Sequence, residues 1–586
     1  MQDSRGHLYS RMYVSDRLRR SAMARPRLQP ADLVVAIGVV VLLWGVIRLE
    51  QAMGAPSARI TGSVSLAISD LPYYAARSLL RMFLAYALSL LFTFVYGTAA
   101  ARSRRWRTVL VPLLDVLQSV PVLGFLAITV TFFVGLFAGS ELGLECAAIF
   151  AIFTSQAWNM TFSFYHSLMA QPSELDEAVR IFRLTKWQRF WRLDVPSSMI
   201  GLVWNSMMSF GGGWFFLAAS EVIIVSGRSK ALPGIGAYMQ SAEAAKDVPA
   251  IWAAIGVMIT MIVVVNALFW RPIVAWAEKF RMETSATEQA PRSVTLNLLR
   301  RSNAVAVSGA LFRPVGRFLD YVTRPFGLAE YPLGVHERRR KAGDIAFAAV
   351  SCALVGWGLW RALSYFAGRG VASQFPHCLE LGLVTFVRVL ILVVACSLVW
   401  VPIGVVIGMN PVLARRAQPV VQVLASFPAL FLFPLAIAVF QHLGITLDYG
   451  GILLMALGTQ WYILFNVIAG ASSIPTDLRQ MSSQFRFPRW QEWRELILPA
   501  IFPYYVTGGI TAAGGAWNAS IVAEYVTYGK TPVVAYGLGA YITQASIHGD
   551  LADVLVGVVV MSFYVVVVNI TVWQPLYRLA ETRYKL

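Results

Sequence analysis

The chain has 586 residues, 57% of them hydrophobic and only 14% charged, with a mean hydropathy of +0.61. That balance lies outside the soluble globular range and marks an integral membrane protein. The excess of 49 Lys and Arg over 31 Asp and Glu, net +18, does not point to nucleic acid, because the basic residues cluster in loops between apolar spans.

Residues 1–30 are polar and arginine-rich (Arg5, Arg11, Arg17, Arg19, Arg20), too long for the n-region of a cleaved signal, and read as a cytoplasmic tail. The run ADLVVAIGVVVLLWGVIRL at 31–49 comes close to the ~20 apolar residues that cross a bilayer as a helix, and is the first predicted span. Further spans are predicted near 74–100, 109–137, 142–170, 198–224 and 250–275, then 344–365, 378–409, 416–440, 449–472, 501–526 and 551–576. The fold class is therefore an all-α membrane protein of about 12 transmembrane helices, arranged as two parallel six-helix repeats because an even number of spans returns the chain to its starting side. One six-span domain covers 31–277 and a second 344–586. Between them lies a basic linker, 278–343, whose run LNLLRRSNAVAVSGALFRPVGRFLDYV forms either an amphipathic helix on the inner leaflet or a solvated tether.

Lysine and arginine set the orientation. Arg102, Arg104, Arg105 and Arg107, the group Arg180, Arg183, Lys186, Arg189 and Arg192, and the pair Arg415/Arg416 all fall on one side with the tail. That side is read as cytoplasmic, with both termini there. The loops near 51–72, 225–249, 366–377 and 527–550 are poorer in basic residues and face out.

The two halves are copies. Pro172/Pro475, Trp187/Trp490, Gln188/Gln491, Pro196/Pro499, Gly211/Gly514, Trp214/Trp517 and Glu221/Glu524 all share the spacing 524 − 221 = 303, as do Gly234/Gly537, Gly236/Gly539 and Asn266/Asn569. Upstream the spacing is 419 − 112 = 307, for Gly97/Gly404, Pro112/Pro419, Ser119/Ser426 and Pro121/Pro428. In each copy a short charged segment precedes a glycine-rich span. Leu175, Val179 and Phe182, and likewise Leu478, Met481 and Phe485, recur at helical spacing, so each segment holds a short amphipathic helix. Repetition, the acids Glu174, Asp176 and Glu177, and the anchors Trp187 and Trp490 favour a docking helix over one resting on headgroups.

The pattern Glu177-Ala178-Val179, Trp187-Gln188-Arg189-Phe190 and Val195-Pro196 resembles the EAA loop of ABC importer permeases, and the glycine-rich continuations resemble the double-length nitrate/sulfonate/bicarbonate group. The resemblance covers both halves. It implies a type I importer permease fold in a bacterial inner membrane, with two ABC ATPase subunits docked on Glu174, Asp176, Glu177, Ala178, Arg180, Phe182 and Arg183 in one copy and on Asp477, Arg479, Gln480, Phe485 and Arg486 in the other. ATP and magnesium would be bound by those partners, so this chain carries no cofactor of its own. An extracytoplasmic binding protein would deliver a small solute, an inorganic or organic anion such as nitrate, bicarbonate or a sulfonate. Two departures stand out. The glycine usual after the triplet is Arg183 and Arg486, which implies a turn that differs in detail, and the second triplet reads Gln480-Met481-Ser482.

In the fifth spans, Gly212 and Gly515 let helices approach closely or bend. Trp214, Trp517, Asn518, Glu221 and Glu524 lie near them as candidate translocation-path residues. For the glutamates, placed toward the outer interface, the alternative is a structural hydrogen bond or ion pair. Neutralising both is expected to impair transport more than assembly. Pro121 and Pro428 kink the third spans, as pore-lining bends or plain packing kinks. Asn266 and Asn569 act as interhelical glue.

Tyr528-Gly529-Lys530-Thr531 lacks the upstream glycine of a phosphate-binding loop, since that position is Glu524. Cys146, Cys352, Cys378 and Cys396 have no metal-ligand spacing, and no catalytic constellation is found, so nothing argues for an enzyme. The alternative function is an ion-coupled secondary transporter with parallel six-helix repeats. ATP dependence of uptake separates the two.

Overall fold

The computed structural model describes residues 63–137, 140–225, 228–280, 337–528 and 531–583, with a few helical positions between 314 and 322. The tail, the span expected at 31–49, most of the linker, and Gly529 and Lys530 lie outside the described residues.

The first half runs α1 (Leu71–Arg102), α2 (Arg104–Ser119), α3 (Leu126–Leu136), α4 (Leu142–Met169), α5 (Ser173–Ile181) and α6 (Val195–Ser220). It continues with the strands β1 (Val222–Val225) and β2 (Arg228–Ala231), then α7 (Ile235–Ala245) and α8 (Val248–Val265). The second half opens on α9 (Glu337–Gly368), then repeats the order as α10 (Gln374–Met409), α11 (Pro411–Ser426), α12 (Phe433–Leu443), α13 (Leu447–Ser472), α14 (Thr476–Gln484), α15 (Leu498–Ala523), β3 (Tyr525–Tyr528), β4 (Thr531–Val534), α16 (Leu538–His548) and α17 (Leu551–Val568). Among the described residues seven helices are long and apolar enough to cross a membrane, or eight counting a bent pair as one span. Helices α4 and α6 occupy the repeat positions of α13 and α15, which do qualify. Their serines, glycines and Glu145 hold down their hydropathy.

The duplication extends to how helices begin and bend. Ser103 caps α2 and Asn410 caps α11, while Asp247 caps α8 and Asp550 caps α17, each side chain accepting from a backbone N–H of the first turn. Single π-turns interrupt both copies at matching places, Phe190–Asp194 with Trp493–Ile497 and Asn266–Trp270 with Asn569–Trp573. Two of the segments expected as outward loops, those near 225–249 and 527–550, are ordered instead, each with a strand pair, Val222 with Ala231 and Tyr525 with Val534, followed by a short helix. Tyr528 and Thr531, at the two ends of the segment set aside as a phosphate-loop decoy, are paired strand residues.

The third spans are not kinked helices but broken ones. In the second half Pro419–Ser426 and Ala429–Leu443 meet at 81°. In the first, α2 ends at Ser119, Val120 is extended, and Leu123–Phe125 forms a 3-10 turn before α3. The proline denies a donor to the helix and holds the residue before it extended, so the chain turns there.

In each half the fourth-span helix packs between two neighbours, α4 between α1 and α6, and α13 between α10 and α15. The breaks join the halves. Helix α11 and the turn after it pack on α6 and α8 of the first half, and the turn Leu123–Phe125 packs on α15 and α17 of the second. Phe431 accordingly lies in the first-half core and Leu123 in the second-half core.

Candidate translocation site and its supports

Three adjoining small cavities lie where α6 meets the broken span of the other half, and all three share Gly211 and Ser426. Trp214 lines the first, and Gly212, Gly515 and Asn518 line the third. Among the described residues no charged side chain lines any of them. The glycines act by what they leave open: a Cβ on Gly212 would stand 3.0 Å from Tyr462 Oη, and one on Gly515 would stand 3.1 Å from Thr459 Cγ2.

Two amides tie the halves together at this level. Gln422 Nε2 donates to Asn266 Oδ1 at 3.1 Å, so the expected interhelical role of Asn266 is seen as a link between halves at a π-turn. Asn518 Oδ1 accepts from Val122 N at 2.8 Å, pairing a backbone donor just past Pro121. The repeat position of Asn518 in the first half is Phe215, so that bond has no counterpart.

Glu221 and Glu524 line none of the cavities, nor does Trp517, which stacks on Tyr564. Both glutamates are 0% exposed and engaged in the hydrogen bonds and ion pairs that were the alternative to a path role. Glu221 accepts from Arg81 Nη1 at 2.8 Å, from Ser78 Oγ and from Gly236 N at 2.6 Å. Glu524 accepts from Arg388 Nη1 at 3.0 Å, Thr385 Oγ1 at 2.9 Å and Gly539 N at 2.8 Å. Each arginine also holds a second acid. Arg81 donates to Glu145 at 2.5 and 2.6 Å, and Arg388 to Asp448 at 2.7 Å. A buried charge persists only when paired and hydrogen-bonded, and these carboxylates also meet the positive N-terminal ends of α7 and α16. Gly236 and Gly539 permit that seat, since a Cβ on either would press within 2.6 Å of the backbone of α6 or α15.

This clasp was legible in part. Ser78/Thr385 and Arg81/Arg388 obey the 307 spacing and Glu145/Asp448 the 303 spacing, all inside apolar runs, yet sequence reasoning passed over them. Charged pairs at the duplication offset within predicted spans were the available signal. Only the first half adds Arg77 and Glu141 to the cluster.

At the opposite ends of α6 and α15 lie α5 and α14. Glu174, Glu177, Arg180, Phe182 and Arg183 are exposed, as are Asp477, Gln480, Phe485 and Arg486, while Ala178 is half-buried. Val179 faces inward, but Phe182 and Phe485 do not share that face; they are 74% and 68% exposed. The turn after each helix corrects the expectation of a different geometry. Arg183 and Arg486 adopt φ of 47° and 51°, the left-handed conformation a glycine would take. Leu184 N bonds Val179 O at 3.1 Å and Arg183 N bonds Arg180 O at 3.1 Å, and Phe487 to Ser482 and Arg486 to Ser483 repeat the pair. That is a complete Schellman end, kept at the expense of a strained arginine.

Two residues of the expected docking set also brace their helices. Asp176 is ion-paired with Arg189, which also approaches Asp194, itself held by Arg102. At the equivalent position the second half has Arg479, whose Nη1 and Nη2 donate to the carbonyls of Met409 at 3.1 Å and Ala471 at 2.6 Å, at the negative C-terminal ends of α10 and α13. The two helices are thus anchored by opposite charges.

A duplicated, mainly helical membrane protein, with a cavity between its halves lined by no described charge and repeated short helices at one end, is a transport subunit in class. The chain matches the profile described as binding-protein-dependent transport system inner membrane component over residues 83–271 and 401–583, and it belongs to that family of ABC importer permeases. It is 25% identical over 182 residues to the nitrate import permease protein NrtB of Leptolyngbya laminosa, covering 31% of this chain and 62% of the relative. It is 27% identical over 163 residues to the bicarbonate transport system permease protein CmpB of Synechococcus elongatus, 28% and 55% of the two chains. It is 24% identical over 175 residues to the taurine transport system permease protein TauC of Escherichia coli, 30% and 60%. The chain therefore spans less than two thirds of the length of these relatives.

Proposed function

We propose that this chain is the whole translocation pathway of an ATP-driven importer, its halves lining one path for a small solute. The observation that carries the reading is the pair α5 and α14, held by internal braces yet presenting Phe182 and Phe485 outward. A large exposed aromatic at the same place in both copies marks a docking surface. Two ATPase subunits, which bind the ATP and magnesium, seat there, and a binding protein delivers solute at the hairpin end. The α5 and α14 end faces the cytoplasm of a bacterial inner membrane. The solute is a small anion or sulfonate of the kind named for the relatives. ATP-driven closure would rock the halves about their shared breaks.

The test is the native mass of the complex purified through this chain from its own membranes. One chain with two ATPase-sized subunits is expected, with loss of one subunit in Phe182→Asp and of both in Phe182→Asp with Phe485→Asp. A chain that purifies alone, with uptake indifferent to ATP depletion, would turn the reading to secondary transport.

A further inference from the structure

The cavities between the halves carry a feature the glycine-rich motifs do not by themselves explain. Ser426 Oγ and Tyr462 Oη both border the second and third cavities, and among the described residues neither has a hydrogen-bond partner. A side chain at Gly211 would begin 2.9 Å from the serine oxygen, and one at Gly212 would begin 3.0 Å from the tyrosine oxygen. The two glycines therefore keep two hydroxyls bare. The other polar groups on these walls are engaged: Gln422 with Asn266, Asn518 with Val122 and Gly514, Thr459 with Met455. The rest is apolar or aromatic, including Phe215, Phe216, Trp461 and Phe465.

Resting on the importer reading, we propose that this space is a solute subsite in which Ser426 and Tyr462 hold, by neutral hydrogen bonds, a small solute of at most one net charge, and that it rejects doubly charged oxyanions. The physical reason is that, among the described residues, no counter-charge lines the space. An ion leaving water for such a site loses hydration in proportion to the square of its charge, so a divalent ion faces about four times the penalty of a monovalent one. The buried arginines of the two halves are taken up by acids, Arg81 by Glu145 and Glu221, Arg388 by Asp448 and Glu524. Neutral hydroxyls can repay part of the hydration of one charge, and aromatic faces, negative at their centres, add nothing for a second.

The complex purified through the full chain, with whatever ATPase subunits accompany it, would be placed in lipid nanodiscs and titrated calorimetrically with sodium nitrate, sodium bicarbonate, taurine and sodium sulfate. At least one of the first three is expected to bind and sulfate to give no heat of binding. Tyr462→Phe and Ser426→Ala remove one hydroxyl each without changing shape and should each weaken the bound probe about tenfold. Gly212→Ala, which crowds the tyrosine oxygen, should do the same. Sulfate binding as tightly as the best monovalent probe, unchanged affinity in both hydroxyl variants, or silence from all four probes would each overturn the subsite. The importer reading has its own readout in the co-purifying ATPases, so silent probes with ATPases still attached strike the subsite alone.

Discussion

At the scale of single residues, the buried acids show how context settles a role that residue type leaves open. Glu221 and Glu524 are equivalent by duplication, but their arginines are differently supported. Arg81 retains the fully buried Glu145 if Glu221 is neutralised, whereas Arg388 retains only the half-exposed Asp448. Removing one member of a buried pair costs about 3–5 kcal/mol when the other is left uncompensated, and less when a second partner remains. Glu524→Gln should therefore lower the thermal unfolding midpoint more than Glu221→Gln, read by tryptophan fluorescence in detergent. The geometry also reverses the expected order of effects for the double variant: with both carboxylates shut inside ion pairs, assembly should fail before transport does. Equal midpoints for both single variants and the parent would show the clasp to be dispensable.

At the scale of elements, the broken third spans matter most. A proline in a span predicts a bend, but a break of 81° also needs partners for the backbone groups it frees. In the first half that partner comes from the other half, since Val122 N is satisfied by Asn518. Asn518→Ala should leave that donor unpaired at a cost of about 1–3 kcal/mol. Loss of stability together with faster hydrogen exchange at Val122 is the expected result, and unaltered exchange would mean that another group takes up the bond. The short helices make a related point. Arg183 and Arg486 hold a left-handed turn at some cost, so the end of each short helix is set by its Schellman bonds and not by the residue that usually eases them.

At the scale of the whole molecule, the halves are not side-by-side units. Each lends its broken span to the other's core, with Leu123 buried in one direction and Phe431 in the other. The first-half segment 1–310 expressed alone should consequently be recovered poorly, since Leu123 and the turn around it would lose their apolar partners. Co-expression with 311–586 should restore a co-purifying pair with the parent's unfolding midpoint. Stable recovery of the first segment by itself would mean that the exchanged spans add little.

Much was legible in the sequence because it depends on local chemistry repeated along the chain. Apolar runs require helices in a bilayer, the 303 and 307 spacings require two copies, and proline and helical spacing mark the broken spans and short amphipathic helices. What only the tertiary structure decided depends on groups far apart in the chain. Arg81 could not be recognised as a partner until Glu145 and Glu221 were brought to it, and Tyr462 could not be recognised as a bare hydroxyl until Gly212 from the other half faced it. Charge and hydrogen bonding inside a membrane protein are judged by the few ångströms around a group, and that neighbourhood is assembled by helix packing from segments as distant as Val122 and Asn518.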